Sequence, residues 1–90
     1  MITGKTESGF EFEISERIFD DYEVIEAMVR YFRTPTYDNF VTFKDLMFAG
    51  AEETEKKAKE FLKERDGYIK TAAMNELVFE IWNSAKALKN

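Results

Sequence analysis

Two pairs of adjacent carboxylates, Asp20 with Asp21 and Glu52 with Glu53, have the side chains for proton transfer or metal binding. Two acids can share a proton or a cation only if they converge on it. Neighbours on a helix diverge by about 100°. Both pairs therefore read as helix-start acids and solvated faces. The 90 residues include no His and no Cys. That removes the commonest general base, the usual nucleophile dyads and the N/S ligands of zinc. No spacing matches a calcium loop. Gly4 and Gly9 fall in a predicted hairpin and not ahead of a helix, so they form no phosphate cradle. The expectation is a protein that is not an enzyme and uses no metal and no cofactor.

What remains is the chemistry of docking. In "DDYEVIEAMVRYF", residues 20–32, Tyr22, Ile25, Val29 and Phe32 fall on one side of a helix. Val24, Ala27, Met28 and Tyr31 continue the apolar surface onto the next side, and only Glu23, Glu26, Arg30 and Arg33 mark a wet one. A surface helix normally buries one stripe. Phe40, Phe43, Met47 and Phe48 crowd a short segment, and Phe79 lies about 130° from the stripe of its own helix. Either everything packs into one core with the first helix at its centre, or the surplus receives an apolar helix or a second copy of the chain. Met adapts its shape and aromatic rings bury area with few rotors, which suits a receiving surface. Large exposed apolar patches mark interaction sites. On the second reading the partner-binding set is Val24, Met28, Tyr31, Phe43, Met47, Phe48 and Phe79.

The elements that must position these residues are legible in outline. The expected fold is mainly α, a compact helical domain of about four helices behind an N-terminal β-hairpin. One domain over 1–90 is the expectation, with the hairpin at 1–14 and the helical part at 15–90. Phe10, Phe12 and Ile14 alternate with Glu11 and Glu13, which is strand periodicity. "ESG" makes a three-residue loop with Gly9 left-handed. That register sets Ile2 against Ile14, Gly4 against Phe12, Lys5 against Glu11 and Thr6 against Phe10. Ser15 or Asp20 caps the first helix, which runs to about Arg33, where Pro35 ends it. A short helix is predicted near 42–49, stopped by Gly50, with a strand through Phe40–Phe43 as the alternative. A charged helix over 51–67 carries Glu52 with Lys56, Glu53 with Lys57 and Glu55 with Lys59 four apart. Its thin stripe is Ala51, Ala58, Phe61 and Leu62. The last helix, from a Thr71 cap to the end, buries Met74, Leu77, Val78, Ile81, Ala85 and Leu88, with Trp82 at the edge.

Charge narrows the partners. The net charge is −5, and an acidic domain repels the phosphate backbone, so no nucleic-acid partner is expected. No apolar run is long enough to span a membrane. No basic region followed by an apolar run opens the sequence, so a cytoplasmic protein is expected.

A start "KTESGFEFEI" followed by "DDYEVIEAM", a middle helix ending in Gly, a charged "EKKAKEFLKERDG" and a final amphipathic helix ending in "KN" resemble one family over essentially the whole chain. It is the tail assembly chaperones of long-tailed (siphovirus-type) bacteriophages. The resemblance is one of order and composition and implies a helical fold with an N-terminal hairpin. It implies a function too: binding and solubilising the tape measure protein before the tail tube protein polymerises around it. The implied location is the cytoplasm of the infected bacterial host, with the chaperone absent from the mature virion. A tape measure protein is long, helical and apolar along one face, so an apolar receiving strip fits it in the helix-in-groove mode. Self-association is a further expectation. The resemblance also implies a longer product of ribosomal slippage, and Lys89 with Asn90 can be encoded AAA AAC, a slippery string. The alternatives are an acidic inhibitor that mimics DNA and a minor structural tail subunit.

Overall fold

In the computed structural model, which describes residues 1–89, β1 (Ile2–Lys5) and β2 (Glu11–Ile14) pair antiparallel. Asn90, the last residue of the proposed slippery codons and of the predicted final helix, lies outside the described residues. The register is the predicted one: Ile2 faces Ile14, Gly4 faces Phe12 and Lys5 faces Glu11. Thr6 N–H donates to the Phe10 carbonyl at 2.9 Å and Gly9 N–H to the Thr6 carbonyl at 3.0 Å. Gly9 has a φ of 97°, the left-handed geometry such a loop needs and a side chain resists. Ile2, Phe10, Phe12 and Ile14 are all buried. A hairpin alone is marginal in water, and this one uses its apolar face to join the core.

Ser15 opens a 3₁₀ turn (Glu16–Phe19), its hydroxyl accepting from Arg17 N–H at 3.2 Å. Helix α1 (Tyr22–Arg33) is capped by Asp21, whose carboxylate accepts from Glu23 N–H at 3.0 Å. The cap is thus the neighbour of the expected Asp20, which closes the preceding turn instead. Helix α2 (Tyr37–Met47) begins five residues earlier than the sequence suggests. Thr36 caps it, accepting from Asn39 N–H at 3.2 Å, and the Asn39 amide donates back to the Thr34 carbonyl at 2.8 Å. The second half of "TPTYDN" is therefore the first turn of a helix, and the break after α1 is confined to residues 34–36. Gly50, with φ 79°, ends the following turn. Helix α3 (Glu52–Asp66) stops at the left-handed Gly67. Of its three acid–base pairs, Glu55 with Lys59 closes to 3.5 Å, alone of the three among the described residues. Helix α4 (Thr71–Leu88) starts on Thr71 rather than being capped by it, and the capping position falls on Lys70.

One hydrophobic core joins all these elements. α1 packs on α2 across the 34–36 linker, β1 lies against α4 and β2 against α3. The fold class is the expected one: mainly helical with a two-stranded N-terminal hairpin. The Thr54 hydroxyl of α3 donates to the Glu13 carbonyl at 2.6 Å, and Ser8 Oγ donates to Glu80 of α4 at 2.7 Å. The hairpin is thereby tied to both C-terminal helices. The predicted stripe of α4 is buried except at Leu88, which is exposed, while Trp82 is drawn inside.

Candidate functional site

The seven residues assigned to partner binding separate into two groups. Val24, Phe43, Met47 and Phe48 are at most 1% exposed. They are core residues, and the expectation that they stand at the surface is corrected. Met28, Tyr31 and Phe79 are half-buried at the core's edge. The two apolar sides of α1 have exchanged roles. Val24, Ala27, Met28 and Tyr31 face inward, whereas Tyr22 (74%), Phe32 (62%) and Val29 (39%) face out. Ala27 supplies the reason. Interaxial distance depends on side-chain size at the contact, and the side carrying Ala lets α2 approach α1 closely. The outward side, Tyr22, Ile25, Val29 and Phe32, has no residue smaller than Val.

Phe79 stands off the stripe of α4 because a second surface needs it. Its ring stacks on Phe43 at 5.3 Å between centroids and on Tyr31 at 5.9 Å, and touches Phe32 at 5.4 Å. Trp82 continues the cluster edge-on to Phe43 and tilted against Phe19. Aromatic pairs favour such offset and tilted contacts. Tyr31 keeps its hydroxyl satisfied by accepting from the Asn75 amide at 2.6 Å. This cluster welds α1, α2 and α4 together and consumes most of the aromatic surplus.

The apolar surface left over lies elsewhere. The N-terminal half of α2 and the start of α4 enclose a groove in two adjoining parts that share Tyr37, Phe40 and Thr71. One, of about 510 Å³, is walled by Tyr31, Pro35, Tyr37, Phe40 and Asn75. The other, of about 350 Å³, is walled by Tyr37, Phe40, Val41, Ile69 and Met74. Tyr37 and Val41, one helical turn apart, are 79% and 45% exposed. Tyr31 is the partner-set residue that reaches this groove, and Met28 reaches a separate hollow with Phe19, Ile25 and Trp82. Sequence reasoning missed Tyr37, Val41 and Ile69. The signal was present in Thr36, a cap following Pro35. Starting the helix there would have put Tyr37 and Val41 on one face with Lys44.

Lys44 and Lys59 rim the second part of the groove. Lys44 ion-pairs with Glu55 of α3 and with Asp45 at 2.8 Å. Burial works against its charge, but hydrogen bonds to Asp45 and Glu55 outweigh burial and hold the ammonium above its ordinary pKa. Lys59 also pairs with Glu55, at 3.5 Å, so both lysines of the groove border are matched by acids of the same chain. The net negative charge is concentrated at the other end of the chain. The first 30 residues carry eight acids against three bases, and the remaining 60 carry ten of each.

Among the described residues, no group of three or more His, Cys, Asp or Glu is placed to hold a metal ion, and no helix is long and apolar enough to cross a membrane. No family model, curated protein or solved structure matches the chain.

Proposed function

We propose that this protein is a tail assembly chaperone of a long-tailed phage and that it receives amphipathic helices of the tape measure protein in the groove between α2 and α4. The observation that carries the reading is that groove: concave, walled by Tyr37, Phe40, Val41, Ile69 and Met74, and bordered by lysines. An apolar helix face can lie in it as in other helix-in-groove complexes. The lysines of the border are already paired with acids of the chain, so the client is held chiefly by apolar contact. The two exposed α2 side chains, Tyr37 and Val41, give a wall free to adjust, which a chaperone needs to accept many registers of one long helix. The acidic hairpin end projects charge that keeps a coated client dispersed before the tail tube protein assembles.

Co-expression with a tape measure segment tests this. Tyr37→Glu with Val41→Glu alters exposed positions and should leave thermal unfolding nearly unchanged. The folded double variant is expected to lose solubilisation of the client. If it keeps the client soluble as well as the parent does, the groove is not the receiving surface. Helix–groove affinity should depend only weakly on added salt, because the groove lysines are already paired within the chain.

A further inference from the structure

The exposed strip of α1 is nearly palindromic. Tyr22, Ile25, Val29 and Phe32 are spaced three, four and three residues apart. About a centre at residue 27, an aromatic stands at each end and a β-branched residue at each inner position. Tyr22, Val29 and Phe32 are exposed, and Ile25 leans against the core's edge. Such three–four spacing is the seam of a helix pair. The polar border of the strip has a direction. Glu23 and Glu26 flank its N-terminal half, and Arg30 and Arg33 its C-terminal half. A shallow hollow of about 420 Å³ runs beside it, lined by Tyr22, Ile25, Glu26, Val29, Arg30 and Arg33. Among the described residues, none of these four charged side chains forms an ion pair.

We infer that this strip is covered by a second copy of the same chain, with the two α1 helices antiparallel about a two-fold axis at residue 27. Reversal brings Tyr22 against Phe32 of the second copy and Ile25 against Val29 of the second copy. It also sets Glu23 and Glu26 beside Arg30 and Arg33 of the second copy, on both sides of the axis. All four charges lie on one flank of the strip, and parallel pairing would carry the two charged flanks to opposite sides of the pair, where these contacts do not form. Self-complementarity of this kind is what an isologous interface requires, and opposed charges select its orientation. The contact is small, because α1 is only about 18 Å long at 1.5 Å per residue. The pairing is therefore weak, reversible and dependent on concentration. It uses a different face from the α2/α4 groove, so a dimer carries two grooves.

Sedimentation velocity across a concentration series reads the association directly. The wild-type chain is expected to move from monomer to dimer, and Val29→Glu to stay monomeric with its helical signal intact. Glu23→Arg with Glu26→Arg, and separately Arg30→Glu with Arg33→Glu, should each be monomeric alone and pair when mixed. The absence of native cysteine permits a test of orientation. Glu26→Cys sits near the axis and should form a disulfide-linked dimer. Arg33→Cys should not, because the two copies of residue 33 lie about 18 Å apart along the pair at the helical rise. A wild-type chain that stays monomeric at the highest soluble concentration overturns the inference, as does Arg33→Cys cross-linking as readily as Glu26→Cys. Neither result touches client binding in the groove, which Val29→Glu should leave unchanged.

Discussion

Gly4 has no space for a methyl group, although its backbone is ordinary strand. A Cβ there would come 2.6 Å from Leu88 Cδ1 and 2.8 Å from Phe12 Cζ. Leu88 is exposed and can turn aside, but the Phe12 ring is 2% exposed and held by the core. Gly4→Ala should therefore cost about 1–3 kcal/mol, the usual range for forcing volume into a packed site. The fall in the urea midpoint measures it, and an unchanged midpoint would mean the ring yields freely. The pairing of Gly4 with Phe12 was legible from hairpin register alone. That the ring covers the glycine was not, because ring placement depends on α4. The same limit applies to Phe79. Its departure from the stripe of α4 was visible in the spacing, but the rings that accept it lie 36 to 48 residues away in the chain.

Helix α3 has a thin apolar claim on the core, with Ala58 and Leu62 fully buried and Phe61 half so. The Thr54 hydroxyl supplements it by donating to the Glu13 carbonyl of β2. Replacement by valine keeps the shape but leaves that carbonyl without its donor. Thr54→Val should lower stability by about 1–2 kcal/mol, while Thr54→Ser, which retains the donor, should lose less in the same chemical denaturation. Valine matching wild type would show that water replaces the bond at no cost. Element identity was read well from periodicity, Gly stops and the Pro break. The start of α2 was misplaced because Thr36, Asp38 and Asn39 are turn residues by composition and cap or first-turn residues by position. That error hid the Tyr37 and Val41 face, and with it the groove.

For the molecule as a whole, Lys44 links α2 to α3 through Glu55 and couples stability to alkaline pH. Its folded pKa lies above the ordinary 10.5. Its contribution is complete below that value and is lost as pH rises through the higher folded pKa. Wild type should thus lose more stability than Lys44→Met above about pH 10.5. Thermal melts of the two proteins across that range give the comparison, and parallel curves would remove the coupling. The sequence by itself determined the fold class, the hairpin register and the stops at Arg33 and Gly67, because each follows from local dihedral preference and short-range periodicity, whereas α2 stops at Met47, ahead of the expected Gly50. It also determined that apolar side chains exceed one stripe per helix. Tertiary structure alone decided which of the two apolar sides of α1 is buried, since both have helical spacing and nearly equal apolar content. The choice fell to how closely another helix can approach, a property of the pair that no single helix contains.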